Sequence, residues 1–276
     1  MPDIPEIFSY TFMQHALFAC ILASIGCGVI GTYVVVKRIG FLAGGIAHSV
    51  LAGMGIAYFM NASPLLGATL AALISGILIG WINLHWRQNE DILIAAFWSV
   101  GMAIGVMFIS RTEGYNIDLM SYLFGNILLV SHRDLYLMLI LDIVILVLVF
   151  LFYRQFLAAA FDEEFSRLRG INVEFYYILL LCMVALTVVL LIQVVGLILV
   201  LALLILPAAS AAQFVNSIRR MMLLAVIFSV LITVSGLIIS FEPDLPSGST
   251  IIILAGLFYV MTIVTQDLFR RIRYNR

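Results

Sequence analysis

His48 lies in GFLAGGIAHSVLAGMGIAYF, residues 40–59, an apolar and glycine-rich helical pattern with no water-facing stripe. An imidazole in that setting is either a core histidine with satisfied hydrogen bonds or a ligand or gate on a cation path. Within a membrane a polar side chain turns to the bundle interior or a wet cavity, which favours the second reading. Neutral imidazole binds zinc, iron or nickel and becomes a poor ligand once protonated. Gly40, Gly44, Gly45, Gly53 and Gly55 in the same stretch let backbones approach closely or a helix begin irregularly, as in the lining of a path.

Three other groups of residues carry chemistry. Asp142 stands in the middle of an apolar run, where a carboxylate costs roughly 2.5–3.5 kcal/mol unless paired, hydrated or neutral. It is either a protonated acid making an interhelical hydrogen bond or a station on the path. Glu242 and Asp244 stand two apart beside Pro243 and Pro246 in a polar turn; they form a solvated acidic loop, or a vestibule mouth whose carboxylates complete a mixed site with a histidine. Glu113 and Asp118 add negative charge to the same predicted face.

The third group is FDEEFSRLRG, residues 161–170, which spells a short capped helix. Asp162, Glu163 and Glu164 stand at its start, Arg167 and Arg169 at its end, and Gly170 is the stop. Phe161, Phe165 and Leu168 recur at helical spacing, so the helix either docks two phenylalanines into a groove of a soluble partner or lies on the membrane surface.

Several chemistries, a membrane-embedded hydrolase among them, are disfavoured by what the sequence lacks. There is no HExxH, no GxSxG and no paired aspartates of the intramembrane-protease kind. No GxxxxGK[ST] loop occurs either, so any energy source comes from a partner chain or an ion gradient. Cys20, Cys27 and Cys182 fall in apolar runs without a CxxC pair and read as small packing residues. A net charge of -1 gives no indication of nucleic-acid binding.

The elements that position these residues must be membrane helices. Of 276 residues 64% are hydrophobic and 11% charged, against about a quarter charged in soluble domains. The apolar blocks run about 18–25 residues, helix length for a bilayer and too long for barrel strands. The expected fold is all-α, one polytopic transmembrane domain over residues 1–276, with spans at about Thr11 to Val36, Gly45 to Met60, Leu65 to Leu84, Ile92 to Ser110 and Leu135 to Tyr153. Residues 175–213 divide near Gln193 into two further spans, followed by Met221 to Ser240 and Ile251 to Thr265, which makes about nine. Residues 118–130 are too short to cross and read as an interfacial or re-entrant helix. MPDIPEIFSYTF carries Asp3 and Glu6 and no basic residue, so it does not read as a cleaved signal peptide.

Nine crossings place twelve of the fourteen basic residues on one side and leave only Arg111 and Arg133 on the other. The basic side is expected to be cytoplasmic, with the amino terminus outside and the carboxyl terminus inside.

VVVKRIGFLAGGIAHSVLAGMGIAY resembles the opening signature of permease subunits of ABC importers for zinc, manganese and iron. DLMSYLFGNIL, VVGLILVLALLILPAASAAQF and DLPSGST resemble later segments of that family in the same order, and FDEEFSRLRGI resembles its coupling loop. The resemblance implies a homodimeric permease in a bacterial or archaeal inner membrane, a pair of cytoplasmic ATP-binding subunits docking on residues 161–170, and an extracytoplasmic metal-binding protein that delivers the ion. It implies that ATP hydrolysis resides in the partner chain and that Pro207 lies near the path, to which the residues themselves point at Gly44, Gly45 and, in one of its two readings, Asp142. Many members carry Asp four residues before the histidine, where this chain has Gly44, so His48 carries over by position and the carboxylate does not. A histidine without a hard aspartate points to zinc as the transported ion, with manganese or iron as the alternative and an ion-coupled secondary transporter as the rival class.

Overall fold

The computed structural model of the chain describes residues 10–86, 90–112, 125, 127–197, 200–241, 243 and 245–274. Among them are eleven α-helices, one short 3-10 turn at Ile127–Leu129, and no strand. In chain order the helices are α1 (Thr11–Lys37), α2 (Gly40–Phe59), α3 (Pro64–Trp86), α4 (Glu90–Ile109), α5 (His132–Leu151), α6 (Tyr153–Phe161), α7 (Glu163–Leu168), α8 (Val173–Val195), α9 (Val200–Ala212), α10 (Ile218–Phe241) and α11 (Ser247–Tyr274).

Eight of these, α1 to α5, α8, α10 and α11, are long and apolar enough to cross a membrane. The expected seventh crossing corresponds to the 13-residue α9, after which the chain is back at the Lys37 end, where Arg219 lies over the Tyr153 ring at 4.7 Å. The apolar run 175–213 does divide near the expected place, but the break falls at Gly196, whose φ of 77° and ψ of 165° suit only glycine.

Two connections differ from expectation. Residues 37–44 were expected to separate the first two spans, yet α2 begins at Gly40 after a two-residue turn in which Arg38 adopts a left-handed conformation with φ 58°. The glycines that lower helix propensity here are compensated by packing, since a Cβ on Gly40 would meet Ile205 of α9 at 2.9 Å. Beyond α5, FLAAAF belongs to a separate helix, α6, so Phe161 ends that helix and does not open the coupling helix. Of residues 118–130, expected to form an interfacial or re-entrant helix, 118–124 and 126 lie outside the described residues.

α1, α2 and α8 are the most buried of the long helices. α2 packs chiefly on α3 and α4, α1 packs chiefly on α10 and α9, and α8 touches both groups through α3, α2 and α1. Outside these, apolar side chains such as Phe150 and Leu70 are exposed, as a lipid-facing surface requires. The α2–α3 crossing is set by glycine: a Cβ on Gly53 would overlap the Gly67 carbonyl, and one on Gly67 would overlap that of Gly53. Gly55 and Gly105 bring α2 and α4 together in the same way.

Lys37 marks one end of the bundle, where its Nζ donates to Glu163 Oε1 at 2.7 Å and to the Ala159 carbonyl at 2.9 Å. His15 lies toward the other end of α1, about 33 Å away along the helix axis.

Candidate functional site

His48 lies near the middle of α2 and is 7% exposed. Its ring stacks on Trp98 of α4 with centroids 3.7 Å apart and planes at 14°. Nδ1 has no hydrogen-bond partner among the described residues. Next to it, Ser49 Oγ donates to Ser75 Oγ at 2.7 Å and so ties α2 to α3 at the same level. The imidazole is therefore held by a face-to-face contact and not by a hydrogen bond on Nδ1, an arrangement that leaves that nitrogen's chemistry unspent.

Gly44, one turn before His48, is buried against α9 and α4: a Cβ there would meet Leu201 Cδ1 at 3.0 Å and Trp98 Cζ3 at 3.5 Å. Gly45 faces Ile94 and Ile79 at ordinary contact distance. The start of α9 thus lies against the turn of α2 that precedes His48. Pro207 is buried within α9, and its missing N–H leaves the Leu203 carbonyl without the usual helical donor.

Asp142 belongs to a different part of the bundle. It is 2% exposed, and neither carboxylate oxygen has a hydrogen-bond partner among the described residues. A Cβ on Gly26 of α1 would meet Asp142 Oδ1 at 3.1 Å, with Thr187 and Leu190 of α8 close behind. The missing side chain of Gly26 is what leaves room for the carboxylate. His48 and Asp142 therefore face different neighbours, α4 in one case and α1 in the other. Glu242 and Asp244, the expected vestibule carboxylates, lie outside the described residues, as do Glu113 and Asp118. Among the described residues no group of three or more His, Cys, Asp or Glu comes together as a metal cage.

The loop after α5 is built as a rigid projection. Asp162 caps α7 by accepting from the Phe165 N–H at 2.9 Å, and Arg169 lies over the Phe165 ring at 4.7 Å. Gly170 ends the helix with φ 75°, while its N–H donates to Arg167. Glu163 is tied to Lys37, and Glu164 stands beside it in the first turn of α7. Phe161, Phe165 and Leu168 are 69%, 48% and 86% exposed, which leaves three large apolar side chains at the surface around one short helix.

Two features escaped the sequence reading. Trp98 gave no signal because one tryptophan in an apolar run reads as packing. His15 and His132, separated by 117 positions, meet with Nε2 atoms 3.1 Å apart; each stands near the start of an apolar run, and only the fold brings them together.

A bundle of long apolar helices, with a buried imidazole whose Nδ1 has no partner among the described residues and an exposed apolar loop, defines a polytopic membrane protein of transporter class. Residues 9–266 match the model of the ABC 3 transport family, and the chain belongs to that family. It is 41% identical over 266 residues to an uncharacterized membrane protein of Synechocystis sp., covering 96% of this chain and 93% of that one. It is 34% identical to the manganese transport system membrane protein MntC of Halalkalibacterium halodurans, covering 93% and 88%. Among solved structures it is similar to PsaBC from Streptococcus pneumoniae in complex with Fab, with a TM-score of 0.85, 30% identity and coverage of 94% and 93%. As a member of this family it is the membrane component of an ABC transporter; ATP hydrolysis is not expected of it.

Proposed function

We propose that the chain is the permease of an ATP-driven importer of a divalent transition metal ion and that His48 is a ligand on the path. The observation that carries this reading is the buried His48 ring, fixed on Trp98 with Nδ1 free of hydrogen bonds. Gly44, where α2 meets α9, Gly45, which faces α3 and α4, and Pro207 within α9 belong to the same path, and Asp142 is a second station beside α1. The Lys37 end of the bundle is cytoplasmic, in keeping with the distribution of basic residues. There α7 receives one of two ATP-hydrolysing subunits. A second copy of the chain completes the permease, and a metal-binding protein on the far side delivers the ion past Glu242 and Asp244.

Zinc, the first expectation, finds no support in the name of the Halalkalibacterium relative, which is manganese. Manganese is therefore the first ion to assay, with zinc and iron as competitors. The test is uptake into proteoliposomes holding the chain with its ATPase and binding protein, with and without ATP. ATP-dependent uptake that fails in His48→Gln supports the reading. Uptake independent of ATP, or unchanged in an intact His48→Gln complex, overturns it.

A further inference from the structure

His15 and His132 meet at the end of the bundle opposite Lys37. Their Nε2 atoms are 3.1 Å apart, and their rings are edge-on with centroids at 4.0 Å and planes at 68°. His15 is half-buried and His132 exposed, so the pair is reachable from the aqueous side.

The tautomer of His15 is fixed by its second nitrogen. Nδ1 is 3.2 Å from the Val130 carbonyl, which only accepts, so Nδ1 carries the proton and Nε2 presents its lone pair to His132. This is the outer hydrogen bond that metal-ligating histidines use to orient the ring. The carbonyl itself is held in place, since Val130 is buried beside the 3-10 turn Ile127–Leu129, which packs on α1. His132 is fixed by a capping box at the start of α5, in which Ser131 and Asp134 bond each other through side chain and backbone. Asp134 also sets a negative charge against the positive end of the α5 dipole.

The spacing suits a shared ion. Two nitrogens each about 2.0–2.1 Å from one zinc ion stand about 2.9 Å apart at a right angle and about 3.4 Å apart at the tetrahedral angle. The observed separation falls between these limits, so both nitrogens reach one ion once His132 gives up the Nε2 proton it donates across the pair, to its own Nδ1 by way of solvent, and the rings rotate. Both donors come from ordered helix starts on separate elements.

We propose that His15 and His132 form a two-histidine binding site for a divalent transition metal ion. Two protein donors leave the remaining coordination positions to water or to a delivering protein, which fits a transit site and not a storage cage. By ligand type the site takes zinc ahead of manganese. Its role in capturing cargo rests on the importer reading above, whereas its capacity to bind metal does not.

The test uses the full chain in lipid nanodiscs with zinc chloride or manganese chloride as the probe. Modification of His15 and His132 by diethyl pyrocarbonate, read by mass spectrometry on the unaltered protein, should slow at least tenfold as zinc is added, with one midpoint for both histidines and a higher midpoint for manganese. In zinc-binding measurements on a His48→Gln background, His15→Gln and His132→Gln should each weaken one class of bound zinc at least tenfold, and the double variant should be no weaker than the worse single. Unchanged modification of both histidines at saturating zinc overturns the site, even where the variants fold poorly. Protection of the pair in a chain whose uptake ignores ATP would leave the site standing and remove the importer reading; ATP-driven uptake without protection would do the reverse.

Discussion

His48 and Trp98 stack face to face at 3.7 Å, so the imidazole of α2 is oriented by an aromatic plane on α4. Such a contact is worth about 0.5–1.5 kcal/mol beyond area burial. Trp98→Phe preserves a ring and should retain most uptake, whereas Trp98→Ala should lower it up to about tenfold. His48→Ala should abolish uptake while the chain still assembles with its ATPase. Uptake by proteoliposomes, beside a size-exclusion profile of each complex, checks all three.

Gly44 stands one turn before His48, where a carboxylate side chain would add a second ligand beside the imidazole. A Cβ at this position meets only the tip of Leu201 closely, at 3.0 Å, and a leucine tip can rotate away. Gly44→Asp should therefore fold, and it places a hard oxygen one turn from His48. The expected outcome is a shift of the uptake ratio toward manganese over zinc, read by competition between the two ions.

The crossing of α2 and α3 yields a stability prediction. Gly53→Ala forces a methyl onto the Gly67 carbonyl, and backbone cannot move aside as a side-chain tip can. Overpacking of this kind costs about 1–3 kcal/mol, so thermal unfolding in detergent should occur several degrees lower. Gly256→Ala is the control, because nothing lies within 4 Å of its Cβ and alanine is the better helix former. It should unfold no earlier than the unaltered protein.

Asp142 and His48 face different neighbours, and their substitutions should separate accordingly. Asp142→Asn keeps the volume and replaces a buried carboxyl that has no hydrogen-bond partner among the described residues, so it should leave thermal stability equal or higher. Its effect on uptake should be smaller than that of His48→Ala. Gly26→Val, which fills the space the carboxylate occupies, should destabilise the chain, and less so when combined with Asp142→Ala. Unfolding midpoints of the four chains form the double-mutant cycle that measures this coupling.

The long helices were legible because a bilayer demands about 20 apolar residues in a row and little else in the sequence has that length. His48 stood out for the complementary reason, as a polar group in an apolar field. The break between α8 and α9 was half legible: Gln193 and Gly196 interrupt the run, but only the backbone at Gly196 shows where it falls. The early start of α2 was hidden because Gly40 and Gly44 speak against a helix locally, and their support comes from Ile205 and Leu201, far along the chain. The His15–His132 contact was not legible at all, since neither residue carries a motif and their proximity is a product of how α1 and α5 pack.

The loop after α5 gives the most direct test of partnership. Phe165 and Leu168 are exposed on a helix that Asp162 caps, Gly170 stops and Glu163 anchors to Lys37, so little conformational entropy remains to be lost when a partner binds. Rigid, exposed apolar anchors of this kind behave as hot spots whose truncation costs about 2 kcal/mol or more, roughly thirtyfold in affinity. Phe165→Ala and Leu168→Ala should therefore weaken capture of the ATPase subunit by that order without altering thermal unfolding of the isolated chain. Lys37→Ala should act differently. It removes the tie between α7 and α1 and leaves the docking side chains in place, so the ATPase should still bind while its hydrolysis no longer responds to metal delivery. Equal loss of binding in all three variants would mean that docking itself depends on the Lys37 tie and would overturn this separation of roles.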